Sequence, residues 1–503
     1  MTRTAVDVSA LTGWNADWAG LRVAILGAGR TGFSVADTLA ELGARALVCA
    51  EQVEPEIVDL LEVVGVPLVT TNLADALAAF APELVIVSPG FAPGHPLVAL
   101  ALATAVPVWG DVELAWRLRD KIFVHTGRTP AEWICVTGTN GKTTTVQLTT
   151  AMLVAGSQQA LACGNIGVPV LDAIRDPHGF DTLVVELSSF QLHYSLSLAP
   201  VSSVCLNVAD DHIDWHGSIE AYRHAKARVY ENTQIACVYN VEDDTTKHFV
   251  EQAEVVDGCR AIGFGLGLPG PSEVGLAGEI LIDRAFILDR RSAALELSTV
   301  AELRLVGLGA PHMVANVLAA AALARSVGVS AEDIRAALRL FTLDQHRTEK
   351  IAERDGIAWV NDSKATNPHA AEAALSSFDS IVWIVGGVLK GAEVDSLVRR
   401  AISRLRAVVV IGSDRTLLVE AFARHAPDLP VFEVLTADTK EVMPMAVRWA
   451  ASIAHAGDTV LLAPAAASMD QFSDYADRGR RFVSAVHDLG KGAGDDDETL
   501  RAP

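Results

Sequence analysis

The stretch Trp133-Ile-Cys-Val-Thr-Gly-Thr-Asn-Gly-Lys-Thr-Thr144 decides the fold of this chain. An apolar run enters a glycine-rich loop, and a helical pattern then continues to about Gly156. This order of strand, loop and helix is typical of phosphate-binding sites, because backbone N–H groups at the start of a helix can surround phosphate oxygens. Lys142 can neutralise the terminal phosphates of a nucleotide, and the Thr143 hydroxyl can bind Mg²⁺. Val136 stands where the general pattern has its first glycine, but the segment still predicts a nucleotide-binding α/β domain.

The charge of the chain argues against nucleic acid as a partner. Its 503 residues carry 62 acidic and 40 basic side chains, for a net charge of −22, whereas a nucleic-acid-binding protein needs a basic surface. The strongest apolar runs, Ile381–Val385 and Val408–Ile411, have the length of strands and are far shorter than the roughly 18–20 residues of a membrane span. The six cysteines form no CxxC pair, which fits a reducing cytoplasm and no zinc site. We therefore expect a cytoplasmic protein without membrane insertion, with roughly two to four domains.

A second glycine pattern lies near the N-terminus. Arg22–Leu26 has the composition of a strand, Gly27-Ala-Gly-Arg-Thr-Gly32 forms a GxGxxG turn, and a helix and a second strand, Ala46–Cys49, follow. This βαβ beginning indicates a nucleotide site, and Glu51 lies where a dinucleotide enzyme places its ribose-binding acid. On its own the pattern leaves three alternatives, which are NAD, another nucleotide, or a glycine turn needed only for packing. We favour another nucleotide.

Polar residues follow two further apolar strands. Glu186 ends the run Leu183-Val-Val-Glu186, and Asn207–Asp214, which contains His212 and three aspartates, follows the next strand. The carboxyl ends of parallel strands meet at one edge of a sheet, where ligands of open α/β folds bind. Because Mg²⁺ takes few protein ligands beyond phosphates and water, these residues predict metal ligands near the phosphate loop. Lys226 lies in a helical stretch of mixed charge, and from the residues alone we interpret it as a solvated helix lysine.

The last third of the chain predicts another α/β unit. Apolar strands alternate there with helical stretches from about Ala358 onward. Three loops at strand ends carry hydroxyls and lysines, namely Asn361-Asp-Ser-Lys-Ala-Thr366, the turn around Lys390, and Pro464-Ala-Ala-Ala-Ser468. Such loops suit an anionic ligand but are also ordinary turns. Before this unit, the segment Gly263–Leu305 predicts an antiparallel appendage.

Several segments together resemble the Mur ligase family. They are the phosphate loop, Gly164-Asn-Ile-Gly167, Glu186-Leu-Ser-Ser-Phe-Gln-Leu192, Asn207–Asp214, His346-Arg347, Asn361–Thr366 and Ala463-Pro-Ala-Ala-Ala-Ser-Met-Asp-Gln-Phe472. The resemblance covers about Leu21 to Leu489. Three features are similar to the family member that adds D-glutamate, namely the N-terminal glycines with Ser88-Pro-Gly-Phe91, the Ser-Ser-Phe-Gln-Leu signature and Gly110-Asp-Val-Glu113.

The resemblance implies three α/β domains and an amide-bond-forming reaction. Residues 1–112 would form a Rossmann-like domain that binds the UDP substrate, and 113–342 a central ATP-binding domain of the P-loop ATPase type. Residues 343–489 would form a Rossmann-like domain that binds the amino acid, and 490–503 a disordered acidic tail. The implied reaction adds D-glutamate to UDP-N-acetylmuramoyl-L-alanine and splits ATP through an acyl phosphate. It would belong to peptidoglycan precursor synthesis in the cytoplasm and be carried out by a monomer.

The functional positions of the family can be carried over by residue. Those for ATP are Gly138, Thr139, Asn140, Gly141, Lys142, Thr143, Thr144, Asn165, Asn316, Arg347 and Asp362. Those for UDP-N-acetylmuramoyl-L-alanine and D-glutamate are Arg30, Thr31, Ser88, Gly90, Ser188, Gln191, Lys364, Thr366, Lys390, Ser468 and Tyr475. Those for Mg²⁺ are Thr143, Glu186, His212 and Lys226, and the catalytic ones are Lys142, His212 and Lys226. Lys226 matches a lysine that CO₂ carbamylates to an anionic metal ligand, which reverses the interpretation from the residues alone.

Two segments depart from the family pattern. Val388-Leu389 is apolar before Lys390, and Ala50-Glu-Gln52 differs from the Asp-Thr-Arg type expected after the second strand.

Three alternative functions stay open. The first alternative is another ATP-dependent amide ligase of the superfamily, such as a folate polyglutamate or cyanophycin-type enzyme, which would not need the N-terminal UDP fingerprint. The second is a nucleotide-sensing protein without catalysis, which would lack the metal-binding residues. The third is an NAD-dependent oxidoreductase, in which the phosphate loop has no role.

Overall fold

The computed structural model of the protein describes residues 7–342, 346–436 and 438–489, which form two compact units. The first unit consists of residues up to Val208 together with His212–Phe341, and the second of Ala209–Asp211 together with residues from Thr342 onward. Two sheets lie in the first unit and one in the second, which confirms the three α/β parts expected from the sequence. The domain limits at residues 112 and 342 stay predictions, and the predicted tail 490–503 lies outside the described residues.

The first sheet is parallel and has the strand order β3-β2-β1-β4-β5. Its strands are β1 Arg22–Leu26, β2 Arg45–Cys49, β3 Leu68–Val69, β4 Leu84–Val87 and β5 Val108–Gly110. The helices of this part are α1 Arg30–Glu41, α2 Pro55–Val64, α3 Leu73–Phe80, α4 Pro96–Ala103, α5 Asp111–Leu118 and α6 Lys121–Thr126. The strand order reverses between β1 and β4, and ligands of open α/β sheets bind at such a point.

The second sheet has the order β14-β13-β12-β11-β10-β9-β6-β8-β7. Its strands are β6 Glu132–Thr137, β7 Ala160–Gly164, β8 Thr182–Glu186, β9 Ser202–Cys205, β10 Ala236–Asn240, β11 Arg260–Phe264, β12 Glu273–Ala277, β13 Ile280–Asp283 and β14 Leu295–Thr299. Its helices are α7 Lys142–Ala155, α8 Val170–Arg175, α9 Ser189–His193, α10 Ile213–His216, α11 Ile219–Ala227, α12 Asp244–Gln252, α13 Val300–Leu305, α14 Pro311–Ser326 and α15 Ala331–Leu340. The pairs β12–β13 and β13–β14 are antiparallel, which confirms the predicted antiparallel appendage.

The third sheet, in the second unit, has the order β15-β16-β20-β17-β18-β19. Its strands are β15 Glu349–Arg354, β16 Ile357–Asn361, β17 Ile381–Gly386, β18 Leu405–Ile411, β19 Val431–Glu433 and β20 Thr459–Leu462. Its helices are α16 Pro368–Leu375, α17 Asp395–Ala401, α18 Thr416–His425, α19 Val442–Ile453 and α20 Tyr475–Asp488. Only the β15–β16 pair is antiparallel among these strands.

The apolar runs of the sequence become buried strands. Ile381–Val385 and Val408–Val410 are fully enclosed within β17 and β18, because helices cover both faces of a mostly parallel sheet. In the part of the chain that the structure describes, no helix combines the length and apolarity that crossing a membrane requires.

Candidate active site

The carboxyl ends of three central strands lie side by side. In register, Val136 of β6 is opposite Glu186 of β8, and Thr137 is opposite Cys205 of β9. The Leu187 N–H donates to the Val136 carbonyl at 2.9 Å, and the Thr137 hydroxyl donates to the Leu187 carbonyl at 2.8 Å. The phosphate loop, Glu186 and the segment after β9 therefore leave the sheet at one edge, as the sequence predicts.

The glycines of the phosphate loop are required by its backbone and by a close neighbour. Gly138 and Gly141 have φ angles of 154° and 81°, a backbone region that residues other than glycine rarely adopt. A Cβ at Gly141 would lie 2.4 Å from Oδ1 of Asn316. Asn316 is buried on α14, so the structure brings this predicted ATP residue directly against the loop.

Asn207 holds the loop from the neighbouring strand, a role that the sequence analysis did not assign. Its carbonyl accepts the Thr139 N–H at 2.9 Å, and its side-chain Oδ1 accepts the Asn140 N–H at 2.9 Å. Its Nδ2 donates to the Asn140 carbonyl at 3.2 Å. These three bonds hold the loop backbone to the segment that follows β9.

The side chains of the loop and of the first turn of α7 are also ordered. Lys142 Nζ donates to the carbonyls of Gly138 and Thr139 at 2.8 and 3.0 Å. The Thr139 hydroxyl lies 2.8 Å from the Tyr222 hydroxyl, while Thr143 is partly exposed at the start of α7. Lys142 therefore keeps its ammonium group above the loop, where a phosphate would be bound.

Glu186 has the features of a metal ligand. Its side chain is only 2% exposed, and its Oε1 accepts a hydrogen bond from Asn165 Nδ2 at 2.9 Å. Its Oε2 is buried without a hydrogen-bond partner among the described residues. A buried carboxylate oxygen without a donor is unfavourable, and a Mg²⁺ ion prefers such an oxygen ligand. Within the described ranges, no three His, Cys, Asp or Glu side chains lie close enough to form a metal cluster by themselves.

Lys226 is buried, so its interpretation as a solvated lysine is wrong. It is 2% exposed, and its Nζ lies 4.9 Å from the centre of the Tyr222 ring. Tyr222, Ala225 and Lys226 form the buried face of α11. Burial raises the pKa of the Cys205 thiol to about 12, and the ammonium groups of Lys226 and Lys142 partly oppose this increase. Both lysines therefore act electrostatically on the end of β9.

His212 precedes α10 in a left-handed conformation, with φ at 53°. Its ring contacts the Phe190 ring edge-on at 4.7 Å between centroids, and Trp215 stacks on Phe190 at 4.4 Å. The neighbouring His216 lies 3.0 Å from the Ser189 hydroxyl, and burial lowers its pKa to about 4. The aromatic cluster therefore joins the Ser-Ser-Phe-Gln-Leu signature to the loop that carries His212, and His216 stays neutral at physiological pH.

The N-terminal glycine loop is shaped by close packing. A Cβ at Gly32 would lie 2.1 Å from the Gly27 carbonyl oxygen, and one at Gly27 would lie 2.7 Å from Ser88 Oγ. Ser88 Oγ is buried without a hydrogen-bond partner among the described residues, at the point where the strand order reverses. Arg30 and Thr31 begin α1 beside this loop, and Gly90 is exposed after β4.

Ser188 and Gln191 form a capping box at the start of α9. The Gln191 N–H donates to Ser188 Oγ at 3.1 Å, and the Ser188 N–H donates to Gln191 Oε1 at 3.1 Å. At the end of α9, the Tyr194 hydroxyl donates to the Phe91 carbonyl at 3.1 Å, and burial raises its pKa to about 12. Tyr194 thus connects α9 with the loop after β4, a role that the sequence did not reveal.

Four predicted residues of the second unit lie around the end of β16. Asp362 is buried, and burial raises its pKa to about 6 against the opposing effects of the Thr348 N–H and the Arg347 guanidinium. The Thr348 N–H donates to Asp362 Oδ1 at 3.0 Å. Lys364 Nζ lies 3.7 Å from the centre of the Tyr475 ring, a cation–π distance. The structure therefore brings Arg347 to Asp362, and Lys364 to Tyr475.

The loops that carry Lys390 and Ser468 are joined through their backbones. Val388 and Ala467 exchange N–H···O bonds at 2.9 and 3.0 Å, so the apolar side chains before Lys390 do not prevent the loop from pairing. Ser468 is buried, whereas Lys390 is exposed with φ at 51°. Thr366 is partly exposed in the loop after β16.

Arg478 of α20 ties two of these loops together and was missed by the sequence analysis. It is 0% exposed, and burial lowers its pKa to about 9. Its Nη2 and Nε donate to the carbonyl and hydroxyl of Ser363 at 2.8 and 3.0 Å, and its Nη1 donates to the Ala466 carbonyl at 3.1 Å. The Ser363 hydroxyl in turn donates to the Tyr475 carbonyl at 2.7 Å. Only the contacts reveal this role, because an arginine close to Arg480 and Arg481 in a polar helix has the pattern of a solvated face.

Comparison with known proteins identifies relatives over the whole chain. Family models match three segments, described as Mur ligase MurD-like, N-terminal domain (residues 21–110), Mur ligase middle domain (136–324), and Mur ligase, glutamate ligase domain (346–466). A protein of Leifsonia xyli subsp. xyli named UDP-N-acetylmuramoylalanine–D-glutamate ligase is 58% identical over 100% of this chain and 99% of its own length. A protein of the same name from Streptomyces avermitilis is 50% identical over 94% of this chain and 99% of its own length.

Solved structures with the same fold are more distant in sequence. UDP-N-acetylmuramate-alanine ligase MurC from Thermotoga maritima is 20% identical, with a TM-score of 0.55 over 93% of this chain and 100% of that one. MurF ligase from the same organism, solved in complex with ADP, is 18% identical, with a TM-score of 0.55 over 95% of this chain and 100% of that one. With relatives of 58% and 50% identity over nearly the full length, the chain belongs to the Mur ligase family.

Proposed function

We propose that this protein catalyses the ATP-dependent addition of D-glutamate to UDP-N-acetylmuramoyl-L-alanine, a step in the synthesis of peptidoglycan precursors. The observation that carries the proposal is the 58% identity, over the full chain, with a relative named for this reaction. The match of residues 21–110 to a MurD-like N-terminal domain supports the UDP substrate and argues against the NAD and folate-type alternatives. We further propose that the enzyme is a cytoplasmic monomer.

The first chemical step would activate the carboxylate of the L-alanyl group. A carboxylate is a poor electrophile, so one of its oxygens attacks the γ-phosphorus of ATP, ADP leaves, and an acyl phosphate forms. Gly138–Thr144 would surround the phosphates with N–H groups, and Lys142 would neutralise the charge that develops on the transferred group. The existing bonds from Asn207 to the loop support this role, because a loop that is already shaped loses little entropy on binding. Asn165, Asn316, Arg347 and Asp362 would complete the ATP contacts.

Magnesium would be held by Thr143, Glu186, His212 and a carbamylated Lys226. The unpartnered Oε2 of Glu186 fits such an ion, and the ion would supply positive charge to the phosphate oxygens. A carbamate on Lys226 would replace a buried ammonium by an anionic oxygen ligand. The buried position of Lys226 supports this, and only a neutral amine can react with CO₂.

The second step would form the amide bond. The amine of D-glutamate attacks the acyl carbon, the tetrahedral oxyanion collapses, inorganic phosphate leaves, and the amine loses a proton. Lys364, Lys390, Thr366, Ser468 and Tyr475 are the proposed contacts of D-glutamate, and the cationic lysines suit its two carboxylates. Arg30, Thr31, Ser88, Gly90, Ser188 and Gln191 are the proposed contacts of UDP-N-acetylmuramoyl-L-alanine.

Phosphate release from ATP tests the proposal directly. The full chain is assayed with Mg²⁺ and UDP-N-acetylmuramoyl-L-alanine, and with D-glutamate, L-glutamate or no amino acid. We expect phosphate release that depends on both the UDP substrate and D-glutamate. Equal release with D- and L-glutamate, or release that needs no UDP substrate, would refute the assignment. For carbamylation, ¹³C-bicarbonate should produce a carbamate carbon signal in the wild-type protein that is absent from K226A.

A further inference from the structure

The motif Gly110-Asp-Val-Glu113 directs two carboxylates at the segment after β8. Glu113 is 0% exposed. Its Oε2 accepts the N–H groups of Leu196 and Ser197 at 2.7 and 2.9 Å, and its Oε1 accepts Arg117 Nε and Ser197 Oγ, both at 2.7 Å. All of these partners belong to the fold itself. Glu113 is therefore a structural anchor.

Asp111 differs from Glu113 in the partners of its carboxylate. It is 4% exposed, and its Oδ2 accepts one hydrogen bond, from Gln191 Nε2 at 3.3 Å. Burial raises its pKa to about 6, and the Gln191 side chain and the N–H groups of Asp111 and Val112 oppose this increase. Asp111 is therefore held by the first turn of α5, and its one side-chain partner is Gln191.

Asp111 controls the orientation of the Gln191 carboxamide. The Oε1 end of that group accepts the Ser188 N–H at 3.1 Å and the Ser188 hydroxyl at 3.2 Å, and the Nε2 end donates to Asp111. A carboxamide held by donors at its oxygen and by an acceptor at its nitrogen has one favoured orientation. The Ser188 hydroxyl hydrogen is used by Gln191, so Ser188 Oγ keeps a free lone pair, while Gln191 Nε2 keeps a second hydrogen. The pair thus presents one acceptor and one donor in a fixed arrangement.

We propose that Asp111 is a positioning residue, which holds Gln191 and through it Ser188 in the arrangement that binds the amide and hydroxyl groups of the UDP-linked amino sugar. This inference rests on the proposed function, since it assigns both side chains to that substrate. Asp111 itself need not touch the substrate. Its effect should therefore appear in the binding of one substrate and leave the chemical step unchanged.

Two variants of similar size separate positioning from charge. In D111N the side-chain oxygen can still accept from Gln191 Nε2, whereas D111L offers no acceptor and leaves that nitrogen buried without a partner. At a pH well above 6, we expect D111L to raise KM for UDP-N-acetylmuramoyl-L-alanine about tenfold, with kcat and the KM values of ATP and D-glutamate changed by less than about twofold. D111N should stay within about threefold of the wild type in all of these constants. D111A replaces D111L if the leucine variant does not fold.

Titration of UDP-N-acetylmuramoyl-L-alanine into wild-type and variant proteins, without ATP, gives a readout independent of turnover. A weaker Kd in D111L with an unchanged unfolding temperature supports the inference. Three results would overturn it. They are wild-type affinity in D111L, an equal rise of the KM values for all three substrates in D111L, and a KM for UDP-N-acetylmuramoyl-L-alanine in D111N that is as high as in D111L. If the wild-type protein neither binds the UDP substrate nor releases phosphate with D-glutamate, the proposed function fails. If the wild type and D111L both bind the UDP substrate with the same affinity, the proposed function stands and only the role of Asp111 is refuted.

Discussion

Replacing Glu113 with alanine tests whether its carboxylate anchors the segment after α9. The change removes the acceptor of four hydrogen bonds, two of them from the backbone N–H groups of Leu196 and Ser197. Arg117, whose side chain is only 12% exposed, is left without its ion-pair partner. Breaking a buried ion pair by removing one partner costs about 3–5 kcal/mol. At roughly 2–4 °C per kcal/mol, the unfolding temperature should fall by about 10 °C.

The assay is thermal unfolding of the full chain, followed by calorimetry. Glu132→Ala is the matched control, because Glu132 is exposed at the start of β6, and it should change the unfolding temperature by less than about 1 °C. The unfolding temperature of Glu113→Gln should lie between those of Glu113→Ala and the control. In this variant one carboxylate oxygen is replaced by an NH₂ group, which faces hydrogen-bond donors. If Glu113→Ala unfolds at the temperature of the control, the hydrogen bonds of Glu113 do not stabilise the unit and the reasoning is refuted.

Three further predictions concern the site. Gly141→Ala places a Cβ 2.4 Å from Asn316 Oδ1 at a φ of 81°, so kcat/KM for ATP should fall at least about 100-fold; Gly267→Ala, whose Cβ would meet nothing within 4 Å, should keep the wild-type value. Glu186→Gln should raise the Mg²⁺ concentration for half-maximal phosphate release by at least about tenfold, and removal of Mg²⁺ with a chelator should abolish release in both proteins. Burial raises the pKa of Asp362 above its ordinary 3.8 to about 6, so this carboxyl weakens the folded state progressively as pH rises from about 4 to 6. In urea unfolding, Asp362→Asn should therefore gain up to about 3 kcal/mol relative to the wild type over that range, and a constant difference at all pH values would contradict the assignment.

Local patterns were sufficient to predict the phosphate loop and the strand-end residues. Lysine after glycine at a strand-to-helix turn has few other uses, and Glu186 could be placed because an apolar strand ends at it. Lys226 shows where this reasoning fails and how it could have succeeded. Tyr222, Ala225, Lys226 and Val229 follow the spacing of a buried helix face, and all four are buried. Mixed charge on the other positions of α11 concealed that face.

The rest of the site depends on contacts between distant segments, which no local pattern contains. Asn207 shapes a loop about 67 residues earlier in the chain, and Arg478 binds Ser363 across 115 residues. Tyr194 reaches a carbonyl 103 residues away. In the sequence, the motif Gly110-Asp-Val-Glu113 indicated only a resemblance to the Mur ligase family. Its physical meaning, a pair of carboxylates that hold the segment 188–197, required the contacts between α5 and that segment.

Transfer of ¹⁸O tests the central claim most directly. UDP-N-acetylmuramoyl-L-alanine is labelled at both carboxylate oxygens and incubated with the protein, ATP, Mg²⁺ and D-glutamate, and the phosphate and the UDP product are analysed by mass spectrometry. The account predicts one ¹⁸O in each phosphate released, one ¹⁸O retained in the new amide, and a product mass that corresponds to addition of one glutamate. Phosphate without ¹⁸O, or phosphate released without that product, would contradict an acyl phosphate ligase.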